Sequence, residues 1–238
     1  MFSKIVSTLM LSTGIWKTIM RQIHEQIHET VRRSRGRPQA RPDEETLRLI
    51  VDAADREFQS NGYAGTNIKA VADRAGVSTK TLYKLVPTKA ELFEATIRHR
   101  IGRFLLDLDD DVSDELDTRE ALEHILLAFG LLTLSAETIA INRLVISECE
   151  RFPEVAAAFY QSAIVPVNGV IENWLTKQKD KGALRIDDIH IASGMLRGMM
   201  AMEPQRTAMM GQRSAPQRDE IVLRARQCAE VFYNGCKA

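Results

Sequence analysis

The stretch Thr66–Phe93, TNIKAVADRAGVSTKTLYKLVPTKAELF, decides how the rest of this 238-residue chain is read. Ile68, Val71, Ala72 and Ala75 fall at i, i+3, i+4 and i+7, one face of a short α-helix, with Thr66 or Asn67 as its cap. Gly76 ends that helix, because glycine enters the left-handed conformation of a helix terminus at little cost. Val77 is the one apolar residue of the turn, and Ser78 can cap a further helix over roughly 79–86. Pro87-Thr88 separates it from a longer helix whose buried face would be Leu92, Phe93, Ile97, Ile101, Phe104 and Leu105. Two short helices joined by a tight glycine turn have the grammar of a helix-turn-helix. Ala72 is small enough to let them approach, and Val71, Ala75, Val77, Leu82 and Leu85 would fill their shared interior.

Outward from this stretch the chain continues to read as helix. On the N-terminal side Leu47, Ile50, Val51, Ala54 and Phe58 repeat at helical spacing. Pro42 precedes them, Asp43, Glu44 and Glu45 place negative charge at the positive end of the helix, and Asn61-Gly62 supplies the stop. On the C-terminal side an acidic loop, Asp107 to Asp117, divides the chain in composition. Beyond it lie helical stretches near 118–135, 137–150, 154–180, 187–203 and 216–236, with Pro166 expected to kink or split the third. No alternating run is long enough for a strand, and no internal repeat is present. The expected fold is all-α: an extra N-terminal helix and basic arm in residues 1–42, a three-helix domain in 43–88 and a helical domain in 89–238.

Lys+Arg and Asp+Glu number 32 each, so the formal net charge is zero. The distribution is uneven: residues 1–30 sum to +1, residues 31–104 to +6 and residues 105–238 to −7. A basic segment joined to an acidic one predicts that only the first meets a polyanion. Arg32, Arg33, Arg35, Arg37 and Arg41 stand in RRSRGRPQARP with no acid between them, directly before the helix-turn-helix region. The exposed positions left on its second helix, Thr79, Lys80, Thr81 and Lys84, are short hydrogen-bonders and cations suited to base edges and phosphates. An ordinary helical hairpin would carry acids and bases there in any mixture. The one-sided chemistry, the basic segment and the arginine arm together point to DNA.

A hydrophobic share of 45% with 13 Gly and 7 Pro argues against disorder and against a turn-rich β chain. Cys149, Cys228 and Cys236 form no CxxC pair, so neither a zinc ribbon nor a secreted disulfide framework is indicated, and a cytoplasmic location is expected. No apolar run reaches the ~20 residues of a membrane-spanning helix. The opening MFSKIVSTLMLSTGIW resembles a weak signal peptide, but Ser, Thr and Gly interrupt it and no small-x-small cleavage site follows, so it reads as retained.

From about Thr46 to Phe93 the sequence resembles the TetR/AcrR one-component regulators, through A-G-V-S, L-Y and P-T-K-x-E-L-F in their order. Lys80 stands where many members have Gly, and Leu85-Val86 replaces a frequent His-Phe or Tyr-Phe pair. The resemblance implies a homodimer, not an enzyme and without a cofactor, whose N-terminal heads bind a palindromic operator on double-stranded DNA. A small-molecule effector held by the C-terminal domain would release it, and a repressor is the leading reading, although the sequence does not give the sign of regulation. Heads entering major grooves on one DNA face must sit ~34–36 Å apart or a multiple of that, and an effector preferring another spacing releases DNA by linkage. Carried over by position, Thr66, Ser78, Tyr83, Lys84 and Lys89 would contact phosphates, while Thr79, Lys80 and Thr81 would read bases. The last two helices would pair with their symmetry mates in a four-helix bundle. RLVISECERFPEVAAAFY resembles ligand-domain sequence, which makes Phe129, Arg143, Glu148, Trp174 and Met199 candidate pocket residues.

Other motifs carry competing readings. Arg35-Gly36-Arg37-Pro38 matches the core of an AT-hook, a minor-groove arm, and also suits an electrostatic tail. His24-Glu25-Gln26-Ile27-His28 fits H-E-x-x-H, the signature of a zinc-dependent hydrolase, but no third histidine stands at metzincin spacing and the arginine arm follows at once. A solvated helix face is the expectation, with no metal. Ile15, Ile19, Ile23, Ile27 and Val31 form an apolar stripe, an extra helix that packs on its own chain or a partner, or on a membrane surface in the alternative of a scaffold that does not bind DNA; Met20 is an internal candidate for the translation start. Met195, Met199, Met200, Met202, Met209 and Met210 would form either ordinary core or a broad ligand site. For Cys228 and Cys236 on the last helix, packing is expected over redox sensing.

Overall fold

In residues 42–111 and 116–238, which the computed structural model describes, the chain runs as α1 (Asp43–Gly65), α2 (Ile68–Ala75), α3 (Thr79–Leu85), α4 (Lys89–Asp111), α5 (Thr118–Thr133), α6 (Ala136–Glu148), α7 (Pro153–Phe159), a π-helical turn (Tyr160–Ile164), α8 (Val165–Asp180), α9 (Ile189–Met209) and α10 (Arg218–Cys236). The only extended pairing among the described residues is an isolated antiparallel bridge between Leu184 and Lys237. The expected N-terminal helix, HEQIH and the arginine arm with Arg35, Gly36 and Arg37 lie outside the described residues.

Local chemistry sets the ends of the short helices. The Asn67 side chain accepts the Lys69 N–H at 2.8 Å, and Ser78 Oγ accepts the Thr81 N–H at 3.0 Å. Between them Gly76 adopts φ 68° and turns its N–H back to the carbonyls of Ala72 and Asp73. A side chain at that φ costs roughly 1–2 kcal/mol, so glycine sets the angle between α2 and α3. Val71, Ala72 and Leu82 are fully enclosed, with Val77 and Leu85 packed at the edge. Glu57, buried on α1, accepts from Asn61 Nδ2 at 2.7 Å and pairs with Arg74 of α2 at 3.1 Å, which pins α2 onto α1.

α4 belongs to two packings. Its first turns place Leu92 and Phe93 in the core beneath α1–α3, while Ile97 and Ile101 lie among the C-terminal helices. Where the two meet, Phe93 packs edge-on to Phe58 and Tyr63 with centroids at 5.2 and 5.7 Å, and Phe152 meets Tyr63 at 5.2 Å. The Tyr63 hydroxyl donates to Glu154 at 3.5 Å, and burial together with that carboxylate raises the phenol to about 12. Val86, which stands in place of a frequent aromatic residue, is buried, and the ring cluster is supplied by α1, α4 and Phe152.

Two boundaries, those of α1 and α9, differ from expectation, and the break expected at Pro166 takes the form of a π turn. α1 continues to Gly65 because Gly62 (φ 70°, ψ 177°) kinks the helix without ending it. Pro166 splits the long helix through the preceding π turn, in which the Val165 N–H reaches back five residues to Tyr160; the wider register accommodates a proline that cannot donate to Ser162. α9 runs through Pro204 to Met209, not ending near 203; Arg224 donates to the Met199 carbonyl at 3.1 Å one turn before the proline, and Arg143 caps the helix end at the carbonyls of Ala208 and Met209, at 3.1 and 3.0 Å.

α5 packs along α10 and against α9. Gly130 makes the approach possible, since a Cβ there would strike the Met200 methyl and lie 2.8 Å from Ile221 Cγ2. The methionine end can swing aside, but the branched isoleucine of α10 cannot. Gly130→Ala is expected to lower stability by roughly 1–3 kcal/mol, read from urea melts. Tyr63→Phe keeps the ring contacts and removes the ionisable group. Folding raises that phenol above its ordinary value of 10.0, so its contribution is complete below pH 10 and lost as pH rises toward 12. The variant should therefore escape roughly 2–3 kcal/mol of alkaline destabilisation in melts across that window, with little change at neutral pH.

Candidate nucleic-acid interface and ligand cavity

α3 buries one side and presents the other. Leu82 is 1% exposed, whereas Thr79, Lys80, Tyr83 and Lys84 lie in solvent. No acidic residue occurs in α3. Lys84 is 3.6 Å from Asp43 at the start of α1, an exposed pair that other anions can displace. Thr81 is half-buried, and its hydroxyl shares a 2.9 Å hydrogen bond with Ser78 Oγ, the α3 cap. The structure thus groups Thr79, Lys80, Tyr83 and Lys84 on one open face, with Ser78 and Thr81 at its leading edge.

Thr66 and Lys89 face the other way. Thr66 is buried, and its hydroxyl donates to the Gly62 carbonyl at 2.6 Å. Lys89 Nζ donates to the carbonyls of Ala64 and Thr66 at 3.2 and 2.8 Å and lies 5.1 Å from the Tyr63 ring centroid. Burial lowers its pKa, partly offset by the Glu148 charge. Both are expected at phosphates; within the chain both close the end of α1, because the kink at Gly62 frees carbonyls that need donors. Glu148 joins them there, accepting the Ala64 N–H at 3.3 Å.

Among the C-terminal helices lies a cavity of about 150 Å³. Its apolar wall includes Ile97 and Ile101 of α4, Phe129 of α5, Ile141 of α6 and Ala163 of the π turn. Arg100, Asn142, Asn168, Arg197 and Gln205 supply polar groups. Arg100 Nη2 donates to both carboxylate oxygens of Asp55 on α1, at 3.0 and 2.8 Å, so one residue touches the cavity and holds α1. Of the five candidate pocket residues only Phe129 lines this cavity. Arg143 borders a separate shallow recess beside Phe58 and Gly62 and caps the end of α9; Glu148 holds the α1 end. Trp174 lies two turns beyond Val167 on α8, and the Met199 carbonyl is turned to Arg224 of α10. None of the six clustered methionines lines the cavity; Met200 is core, while Met195, Met202 and Met210 are exposed. Cys228 is buried, and burial raises its thiol, which fits packing.

Sequence reasoning missed Arg100 and Arg197. The available signal was a lone charge in an apolar setting: between Ile189 and Met202 the one Arg, Lys, Asp or Glu is Arg197. Among the described residues no group of three or more His, Cys, Asp or Glu could hold a metal ion, and no single helix is long and apolar enough to cross a membrane.

Comparison with known proteins matches both halves. Residues 50–96 match the family model for bacterial regulatory proteins of the tetR family, and residues 120–235 match the C-terminal domain of AefR-like transcriptional repressors. The transcriptional regulator TtgR of Pseudomonas putida is 33% identical over 110 residues, covering 45% of this chain and 52% of that protein. The match thus spans about half the length of that curated relative. A solved TetR-family structure from Mesorhizobium loti aligns with a TM-score of 0.74 at 22% identity, covering 83% of this chain and 100% of that one. The flavonoid-responsive regulator FrrA aligns with a TM-score of 0.66 at 24% identity, covering 82% and 98%. At those identities the two structures bear on fold alone, and the fold they share is the helical head and body described above. With one tetR-type model on its helix-turn-helix and a second, repressor-type model on its C-terminal helices, the chain belongs to the TetR family of transcriptional regulators.

Proposed function

We propose that the protein is a homodimeric repressor, acting on DNA in the cytoplasm, that binds a palindromic operator through α3 and is released by a small effector held in the C-terminal cavity. The observation that carries the reading is the open face of α3: Thr79, Lys80, Tyr83 and Lys84 exposed together, with no acid in the helix and a buried Leu82 fixing its orientation. Thr79, Lys80 and Thr81 are assigned to base edges, and Ser78, Tyr83 and Lys84 to phosphates. Thr66 and Lys89 are assigned to holding the α1 end beside the α2 N-terminus, so their effect on DNA is indirect.

Dimerisation is supported by apolar side chains left in solvent on the last two helices. Ile191, Met195 and Met202 on α9 and Leu223 and Val231 on α10 are each more than half exposed, an arrangement that association would cover. A two-fold pairing of α9 and α10 would set two α3 helices on one DNA face. Release is supported by Arg100, which belongs to the cavity wall and to the bond with Asp55 of α1. An occupant that shifts α4 must alter that bond, and a ligand favouring the shifted state weakens DNA binding by linkage.

Selection from a random DNA pool with the full-length protein should enrich an inverted repeat; failure of the folded dimer to enrich any sequence would remove the reading. On the enriched site Lys80→Ala should cost about 1–3 kcal/mol and relax discrimination at one base position per half-site, measured by competition binding. Replacing Met195 and Met202 together by Glu should yield a monomer in sedimentation analysis, with its helix content retained.

A further inference from the structure

We propose that the cavity takes a small monocarboxylate with one ring-sized apolar body, its carboxylate held by Arg197; this rests on the reading of the cavity as the effector site. Three observations converge on it. The first is the state of the guanidinium. Arg197 is half-buried on the cavity wall, where burial lowers its pKa and only the charge of Glu172 opposes that effect. Its partners are all neutral: Nε donates to the carbonyl and hydroxyl oxygens of Ser193, each at 3.2 Å, and Nη1 donates to Asn168 Oδ1 at 2.6 Å. Nη2 has no acceptor among the described residues, and no carboxylate lies within ion-pair distance of the group. Glu172 is instead bonded to His190 Nδ1 at 2.9 Å.

The second is the contrast with Arg100, the other cation of the wall. Its Nη2 is held by both oxygens of Asp55, so its charge is already matched. A half-buried guanidinium with no carboxylate in ion-pair contact is only partly compensated, and a carboxylate is the group whose geometry fits its fork. Ser193 and Asn168 fix the plane of the Arg197 fork in advance, which is what a binding site requires and what a solvent-exposed arginine lacks.

The third is the shape and lining of the space beside it. About 150 Å³ is the size of cavity that holds a benzene-sized body, and Ile97, Phe129, Ile141 and Ala163 are apolar. Asn142 and Gln205 each donate one amide hydrogen to the carbonyls of Thr138 and Thr133, at 2.9 Å each, and being neutral they offer no charge to match a second anionic group. One negative charge and one apolar ring therefore suit this wall; a dianion or a long chain does not.

Calorimetric titration of the full-length dimer with benzoate, phenylacetate and the matching amides tests the assignment. The acids should bind at least tenfold more tightly than their amides in wild type. Arg197→Gln should abolish that preference with its melting temperature kept close to wild type, and Arg197→Lys should recover part of it. Ala163→Phe, which fills the cavity, should abolish binding of acids and amides alike. Equal binding of acids and amides, both lost in Ala163→Phe, would overturn the carboxylate assignment and leave the cavity reading standing. Acid binding that survives Ala163→Phe would place the site elsewhere and overturn both. Absence of binding by every probe overturns the proposed ligand class, while operator release by some neutral compound, lost in Ala163→Phe, would show that the cavity reading outlives it.

Discussion

One helix has to satisfy two cores at once, and the rest of the molecule is arranged around that constraint. The first turns of α4 complete the core under α1–α3 through Leu92 and Phe93, and its middle lines a cavity through Ile97, Arg100 and Ile101. It cannot move in one place without being felt in the other, because close-packed interiors have discrete arrangements and little compliance. The aromatic cluster of Phe58, Tyr63, Phe93 and Phe152 and the Asp55–Arg100 pair make that link stiff. The kink at Gly62 adds a joint whose freed carbonyls are held by Lys89 and Thr66. In the proposed mechanism the coupling between cavity and α3 would be a property of packing, and α3 itself would need no contact with a ligand.

The head was legible in the sequence because its chemistry is local. Asn67, Gly76 and Ser78 act on backbone groups within three or four residues, so helix ends follow from residue type and spacing. The apolar repeat of α2 likewise named its buried residues. Lys89 reads as a phosphate contact because it is a cation beside a helix-turn-helix, and its carbonyl partners within the chain were not legible. A cation at a helix N-terminus opposes the macrodipole, and that conflict was a sign of a particular partner; the carbonyls of Ala64 and Thr66 supply it.

The cavity was largely illegible, since it depends on which helix faces meet after folding. Phe129 is expected there, while Arg197 sits in an apolar stretch that suggests plain core and Arg100 stands among the cations of IRHRIGR, which suggest a solvated face. The methionine cluster drew attention toward a pocket, yet its members divide between core and the outer surface of α9. Pro166 and Pro204 show the same limit: residue type predicts a broken ladder, but only the folded surroundings decide whether the helix widens into a π turn, as before Pro166, or continues, as through Pro204.

The coupling through α4 can be measured without a ligand, by comparing operator affinity of the wild type, Ala163→Phe, Arg100→Met and the double variant in a thermodynamic cycle. The account predicts that filling the cavity with Phe weakens operator binding at least severalfold and that most of this effect vanishes when Arg100→Met has already cut the link to Asp55. Unchanged affinity in a folded Ala163→Phe dimer, or strictly additive effects of the two substitutions, would contradict it.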